Sequence, residues 1–286
     1  MSVMLLGLYG LLIFALIRLA SSNPSDPRGW LGSLFVIFLV ATFVIGAPSM
    51  ALKAVGARPL KPGSHADVAA ALARLAALAD VPSPQLAISQ SRVPNAFAVG
   101  VTPRRSTVAV TRGLLDTLTP RELEAVLAHE LTHIANRDAF VVTSASVLPI
   151  AGAYLGRWRF EGYDFRKRER DWREYLAWPF LVGFGGLLYV VGGVLTLAIS
   201  RYREFVADRG SALLTGAPEQ LMSALQKLSD ETTRIPRGDL RAMAGLTALC
   251  VVPPRPGGSI LERDHPPLEK RLAALAKIAR ELGRGA

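Results

Sequence analysis

His129, Glu130 and His133 belong to the sequence His-Glu-Leu-Thr-His, in a chain that has only four histidines. On a helix, residues four positions apart lie on one face, so both imidazoles can reach a single metal ion. The carboxylate of Glu130 then lies beside that ion, where it can accept a proton from a bound water. The alternative is a buried helix whose histidines only make hydrogen bonds. The spacing favours a catalytic metal site, which needs a third ligand.

The third ligand is predicted in the segment Ser200–Asp208, directly after a long apolar stretch. Glu204 and Asp208 are also four residues apart, so both carboxylates face the same way on a helix. One can bind the metal while the other accepts the N–H of a ligating histidine. An isolated pair of this kind is usually a solvated helix face, so the prediction depends on the histidine box. His65 and His265 are the other two histidines and weaker candidates.

The histidine box is predicted to lie on a helix because the residues around it carry helix signals. Thr119–Glu122 has the form of a capping box with Pro120 at the first helical position. Apolar residues follow at helical spacing, and no glycine or proline interrupts the segment before Asp138.

The same rules predict the elements around this helix. Alternating residues predict strands at Gln85–Ser89, Ala96–Val101 and Thr107–Thr111, with a turn at Pro103–Arg105. Apolar spacing predicts helices at Asp67–Asp80 and Pro218–Arg234, and a final helix with Pro266 and Pro267 in its first turn. Leu246–Val252 is apolar and β-compatible. An exposed strand near the metal could bind an extended substrate by strand addition, or the strands could be purely structural.

The composition predicts a membrane protein. Half of the 286 residues are hydrophobic, the net charge is +10, and the mean hydropathy is +0.30. The apolar residues are concentrated in blocks at Val3–Ala20, Trp30–Ala51 and Ala177–Ile199, with a weaker block at Phe140–Gly156. Each strong block approaches or exceeds the roughly 20 residues that cross a bilayer as a helix. We interpret the first as a signal anchor, because it lacks a basic segment before it and a second block follows closely.

The charge and the cysteine content exclude other classes. The single Cys250 cannot form an intramolecular disulfide. No nucleic-acid recognition motif accompanies the basic residues, so we expect no nucleic-acid partner and assign the excess charge to anionic lipid headgroups.

The predicted ligands constrain the number of membrane crossings. His133 lies seven residues before Phe140, and Glu204 lies five residues after Ile199, so both would lie within roughly 10 Å of the bilayer boundary. They can share a metal ion only if the chain crosses an even number of times between them, which requires the weak block to cross as well. We therefore predict a mainly α membrane protein, with about four transmembrane helices and a small α+β zincin-like metalloprotease domain.

This arrangement divides the chain into four parts. Residues 1–52 form an N-terminal transmembrane hairpin, and residues 53–138 form the first part of the protease domain. Residues 139–199 form a second transmembrane hairpin with a charged loop, and residues 200–286 complete the protease domain.

Four motifs in this order resemble those of HtpX-type membrane zinc metalloproteases, which are gluzincins related to the CAAX prenyl endopeptidases. The motifs are Pro94–Ala98, His129–His133, Glu204 with Ala207 and Asp208, and His265–Arg271. The resemblance covers the chain from Leu31 to about Leu275. It implies one Zn²⁺ held by His129, His133 and Glu204, with Glu130 as the general base and Asp208 supporting a ligand. It also implies that Asn95 and Ala96 lie on a substrate-binding edge strand, and that His265 and Arg271 approach the cleft.

The expected activity is zinc-dependent hydrolysis of peptide bonds by metal-activated water, in protein or peptide substrates at the lipid bilayer. The family suggests quality control of membrane or misfolded proteins. The alternatives are a CAAX-type prenyl-peptide endopeptidase, a zinc-stabilised membrane scaffold without turnover, and a transporter. Basic residues number six near the zinc-side boundaries and nine on the opposite side, which disfavours a cytosolic site. The resemblance nevertheless places the zinc domain in the cytosol, together with both termini.

Overall fold

The computed structural model describes residues 46, 48–61, 63–100, 102–139, 141, 152, 172–234 and 265–283, without the side chains of 172–181 and 232–234. Its strands are β1 (Arg58–Pro59), β2 (Gln85–Ser89), β3 (Ala96–Gly100) and β4 (Ser106–Thr111). Its main helices are α1 (Ala66–Leu78), α2 (Arg112–Thr117), α3 (Pro120–Ala135), α4 (Trp172–Thr215), α5 (Pro218–Arg234) and α6 (Leu268–Glu281). The described part is therefore mostly helical with one small sheet.

The sheet has the order β1-β2-β4-β3, so β3 lies at one edge. β2 and β4 are parallel, whereas β3 pairs with β4 in antiparallel register, with Ala96 opposite Val110. One face packs on the helices through apolar residues of the three longer strands, Leu86, Ile88, Ala96, Val108 and Val110. The other face carries Ala87, Phe97 and Ala109, which are covered by Leu52, Val55 and Ala57 from the segment before β1. Successive side chains of a strand point to opposite faces of the sheet, so alternate residues of these strands belong to the two different apolar clusters.

Most of the predicted elements of the soluble region are confirmed. The first helix begins one residue earlier than predicted and ends at Leu78, and Gln85–Ser89 is a strand as predicted. Pro103–Arg105 forms a short 3-10 turn between β3 and β4. The predicted strand at Leu246–Val252 lies outside the described residues.

Two short elements were missing from the sequence prediction. β1 has only two residues and exists because it pairs with β2. α2 begins where the Thr111 side chain accepts a hydrogen bond from Leu114 N–H, and Leu114 is fully buried. Both depend on tertiary contacts, which local periodicity does not report.

The helix with the histidine box begins as predicted. The Thr119 side chain accepts from the Glu122 N–H, and the Glu122 carboxylate accepts from the Thr119 N–H at 2.8 Å. Glu122 also accepts hydrogen bonds from Ser223 Oγ at 2.6 Å and Lys227 Nζ at 2.8 Å, both on α5. The cap therefore also attaches the start of α3 to α5.

Glu122 is expected to make stability depend on pH below about 5. Burial alone would raise the pKa of the Glu122 carboxyl, but hydrogen bonds from Lys227, Ser223 and Thr119 lower it to about 2. The carboxylate stabilises the fold by about 3 kcal/mol above its unfolded pKa, and this contribution is lost as the pH falls toward 2. Glu122→Gln should remove most of this pH dependence in thermal unfolding. Glu124 lies on the same helix, half-exposed, and pairs with the exposed Arg74 of α1, so Glu124→Gln should leave the pH dependence unchanged.

The third apolar block and the predicted third-ligand segment form one continuous helix, α4, of 44 residues. Within the described residues, the part of α4 from Val182 to Thr215 is long and apolar enough to cross a membrane, and its most apolar 18 residues have a mean hydropathy of 2.1. Its apolar side chains are largely exposed, as at Leu187, Val190 and Val194. The block at Val3–Ala20 lies wholly outside the described residues, as do most of Trp30–Ala51 and all of Phe140–Gly156 except Val141 and Gly152.

α4 lies very close to α3 at Gly210. A methyl group on Gly210 would lie 2.4 Å from both Cγ2 and Oγ1 of Thr132, a contact that real side chains do not make. One residue further on, Ser211 Oγ donates a hydrogen bond to the Ala125 carbonyl at 2.6 Å. The close approach brings the metal-ligand candidates of the two helices together.

Gly210→Ala is expected to destabilise the protein by about 1–3 kcal/mol, because the added methyl group must separate α3 from α4. The double variant Gly210→Ala/Thr132→Ala should recover much of this loss, since the second change removes the overlapping atoms. Thermal unfolding of the two variants in detergent measures the effect. Equal melting temperatures for Gly210→Ala and the unchanged protein would contradict the close packing.

α6 begins later than predicted. Pro266 and Pro267 precede the helix instead of forming its first turn, because Pro267 has extended backbone angles (φ −53°, ψ 139°). The helix buries Leu275 in the core that it shares with α5, and Ala279 is buried as well. This packing places the start of α6 close to the histidine box.

Candidate metal centre

His129, His133 and Glu204 offer one ligand atom each, and all three atoms lie within 4.8 Å of one another. The Nε2 atoms of the two histidines are 3.2 Å apart. Glu204 Oε2 lies 3.7 Å from His129 Nε2, and Glu204 Oε1 lies 3.6 Å from His133 Nε2. His129 and Glu204 are buried. The two helices thus bring together the three residues that the sequence predicted as ligands.

Each histidine has a carboxylate at its other ring nitrogen. Asp208 Oδ1 lies 3.1 Å from His129 Nδ1, and Asp138 Oδ2 lies 2.5 Å from His133 Nδ1. A carboxylate only accepts hydrogen bonds, so it favours the tautomer with the proton on Nδ1 and a lone pair on Nε2. Both Nε2 atoms are therefore prepared to bind a metal ion.

The buried Arg271 of α6 connects the carboxylates behind the centre. Its Nε and Nη2 donate to the two oxygens of Asp208 at 2.8 and 2.6 Å, and its Nη1 lies 3.5 Å from Glu204 Oε2. Arg271 is only 2% exposed and Asp208 only 1%. The guanidinium lies beside the predicted ligand Glu204 and the supporting Asp208.

His265 lies immediately before α6, against the same glutamate. Its Nδ1 is 3.2 Å from Glu204 Oε2, and its side chain is 8% exposed. The sequence left open that His265 is an ordinary surface histidine, but the structure places its ring at the metal-ligand candidates. Its other ring nitrogen, Nε2, is buried and has no hydrogen-bond partner among the described residues.

Glu130 lies between the two histidines and faces the edge strand, where it accepts a hydrogen bond from the Ala98 backbone N–H. Burial raises the pKa of the Glu130 carboxyl above its usual value, although the two histidines partly offset the rise. A carboxyl group with a raised pKa is better suited to take and return a proton near neutral pH.

Asn95 and Ala96 lie at the start of β3, where both are buried. The Asn95 carbonyl accepts from Thr111 N–H at 3.0 Å, and the Asn95 N–H donates to Thr111 Oγ1 at 2.8 Å. In antiparallel pairs, alternate residues direct their backbone groups to the partner strand, so those of Ala96 and Ala98 point away from β4.

The electrostatics of His129 favour its protonated form in the metal-free protein. Burial lowers the pKa of the His129 imidazole, but Asp208 and Glu204 overcome this effect and raise it to about 9. A ligating histidine must be neutral, so binding a metal ion here would release a proton.

Asp138 and Arg203 also belong to the centre, and sequence reasoning missed both. Asp138 is buried after the end of α3, and Arg203 Nε lies 3.0 Å from its Oδ2. The available signals were an aspartate shortly after the histidine box and an arginine directly before Glu204.

The donor set fits a catalytic metal ion. Two imidazoles and one carboxylate are the ligands of one class of catalytic zinc site, which keeps one position for water or substrate. Glu204 Oε2 is buried beside nitrogens of His265 and Arg271, but no well-directed hydrogen bond from the described residues occupies it, as expected for an atom that binds a metal.

Comparisons with known proteins agree with this centre. The family model described as peptidase family M48 matches residues 62–279. The protease HtpX homolog 2 of Methanosarcina acetivorans is 40% identical over 294 residues, which cover 97% of each chain. The protease HtpX homolog of Moorella thermoacetica is 42% identical over 253 residues, which cover 87% of this chain and 84% of that protein. The crystal structure of S. mikatae Ste24p is similar with a TM-score of 0.53 and 21% identity. The similarity covers 94% of this chain but only 62% of the Ste24p chain, and it shows the fold.

The chain therefore belongs to peptidase family M48. It is an HtpX-type membrane metalloendopeptidase with a catalytic metal, which confirms the family and the enzyme class predicted from the motifs. The non-catalytic scaffold and the transporter are thereby disfavoured.

Proposed function

We propose that the chain cleaves protein substrates at one Zn²⁺ held by His129, His133 and Glu204, with Glu130 as the general base. The observation that supports it most strongly is the convergence of three ligand atoms within 4.8 Å. Carboxylates face the other ring nitrogens of both histidines. A purely structural zinc site would normally have a fourth protein ligand and would need no buried base.

The bound ion would supply Lewis acidity, which makes water a stronger acid and polarises the scissile carbonyl. Glu130 accepts the proton of the attacking water and returns it to the departing amine. Its hydrogen bond from Ala98 holds the carboxylate at the edge strand. Ala96 is fully buried in this structure, so an extended substrate would pair with its outward backbone groups only after the residues that cover it move aside, which would bring the scissile bond beside Glu130.

His265 and Arg271 both lie against Oε2 of Glu204, and we propose different roles for them. The Nε2 of His265, which has no partner among the described residues, can donate to the negative charge that develops on the substrate carbonyl. Arg271 is fully engaged behind Asp208 and Glu204, so we propose that it acts through these carboxylates instead of contacting substrate.

The membrane arrangement proposed from the sequence has four crossings and a cytosolic zinc domain. One contact supports the weak span: a methyl group on Gly152 would lie 2.5 Å from the Gly185 carbonyl oxygen, so residue 152 lies directly on α4. Gly185 lies about 28 Å before Glu204 along α4, so residue 152 contacts α4 far from the end of that helix that carries the metal ligand. A C-terminal reporter that is active only outside the cell would contradict the cytosolic placement.

The proposed biological role is quality control of membrane or misfolded proteins, acting at the bilayer surface where α4 leaves the membrane. The four-part division of the chain follows from the same arrangement, since residues 53–138 and 200–286 each supply part of the centre.

Metal-dependent cleavage of an unfolded protein tests the proposed activity. The full chain, purified in detergent, should contain one zinc per chain and cleave casein. A chelator should abolish the cleavage, and added Zn²⁺ should restore it. Cleavage of a prenylated peptide but not of casein would instead favour the prenyl-peptide endopeptidase, and cleavage that survives complete removal of the metal would refute the proposal.

A further inference from the structure

The centre contains a second aspartate–arginine pair that the proposed mechanism does not use. Asp208 faces His129 and is held by Arg271 from α6. Asp138 faces His133 at 2.5 Å, and its Oδ2 lies 3.0 Å from Arg203 Nε on α4, an ion-pair distance without the directed hydrogen bonds that Arg271 makes. Each histidine of the box thus has its own carboxylate, and each carboxylate has its own arginine.

The backbone after α3 is shaped to bring Asp138 back to His133. α3 ends at Ala135, Asn136 is its C-cap, and Arg137 has a left-handed conformation with φ 57°. If the helix continued, residue 138 would lie about 140° around the axis from His133, on another face. A left-handed non-glycine residue costs on the order of 1 kcal/mol, so the surrounding contacts must maintain this turn.

The pair also joins the two helices that carry the ligands. Arg203 directly precedes Glu204, so the carboxylate that orients the second histidine also contacts the helix that supplies the third ligand. Asp138 is 4% exposed, which strengthens its interactions with both partners.

We propose that Asp138 is a positioning residue for the metal centre, with Arg203 as its partner; this inference rests on the proposed metal site. Asp138 fixes His133 in the tautomer and ring orientation that direct Nε2 toward Glu204. Arg203 keeps the carboxylate in place and couples metal affinity to the packing of α4 beside α3.

Zinc affinity of the full chain in detergent tests this role, measured by competition with a chromophoric chelator. Asp138→Ala is expected to weaken Zn²⁺ binding about 10–100-fold. Asp138→Asn keeps an oxygen that accepts the Nδ1–H but loses the charge, so it should weaken binding by about three- to tenfold. Arg203→Gln should also weaken binding several-fold. Asp116→Asn, which changes an exposed ion pair with Arg112, is the matched control and should stay within twofold.

Two further readouts separate positioning from a structural role. Co²⁺ bound to Asp138→Ala should show an altered visible absorption spectrum, because the imidazole is held less firmly. The melting temperature of each metal-free variant should stay near that of the metal-free unchanged protein. A folded Asp138→Ala or Asp138→Asn protein that binds Zn²⁺ within twofold of the unchanged protein would overturn the proposal, as would an affinity loss matched by unfolding of the metal-free Asp138→Asn protein. If the unchanged protein bound no zinc, the proposed function itself would fail.

Discussion

Glu130→Gln is expected to lower casein cleavage by about 10⁴-fold while one zinc per chain remains bound. Glutamine has nearly the same shape as glutamate, and its amide oxygen can still accept the Ala98 N–H. It cannot take a proton from water, however. The loss should appear in kcat and kcat/KM together, because the missing interaction belongs to the chemical step.

Glu124→Gln provides the matched control for this variant. Glu124 lies on the same helix but away from the metal centre, half-exposed, where it pairs with the exposed Arg74 of α1. Its replacement should change neither cleavage nor zinc content. A Glu130→Gln protein that cleaved casein at the unchanged rate would show that another group is the base. A Glu130→Gln protein that lost its zinc would instead show that Glu130 helps to bind the metal.

Arg271→Met is expected to have the largest effect on stability. The guanidinium is buried and holds two buried carboxylates, those of Asp208 and Glu204. Removing one partner of a buried ion pair typically costs 3–5 kcal/mol, because the remaining charge is left without compensation. For a domain of this size, the melting temperature should fall by roughly 10 °C. The fall should be larger in the metal-free protein, since a bound cation also compensates Glu204.

Two further variants test whether the loss of stability in Arg271→Met comes from the carboxylates that it leaves unpaired. Arg271→Met/Asp208→Asn removes both charges and should recover part of the lost stability. Lys277→Met changes a cation on the exposed face of the same helix, where its side chain is 74% exposed, and should have little effect. If Arg271→Met raised KM for casein without changing the melting temperature or the zinc affinity, Arg271 would contact substrate directly.

The features that could be predicted from the sequence are those that depend on residues close together in the chain. The capping box at Thr119 fixed the start of α3, and the apolar period that follows it is the face that α3 buries. The spacing of Glu204 and Asp208 placed both on one face of a helix, and the structure brings both to the histidines. These inferences needed only helical geometry and the chemistry of the side chains.

The features that sequence reasoning missed depend on contacts between distant residues. The role of Asp138 depends on the left-handed turn at Arg137, and nothing in the local sequence requires an arginine there to adopt it. The close approach at Gly210 depends on which face of α4 meets Thr132. The apolar block and the ligand segment looked like separate units, whereas one unbroken helix carries both.

X-ray absorption spectroscopy of the zinc-loaded full chain tests the central claim most directly, because it reports the atoms that bind the metal. We expect a first coordination sphere of nitrogen and oxygen with scattering from two imidazole rings and no sulfur. His133→Ala should remove the zinc, and Glu204→Gln should weaken its binding. A sulfur ligand, which only Cys250 or a methionine could supply, or scattering from no more than one imidazole would contradict a zinc ion held by His129, His133 and Glu204.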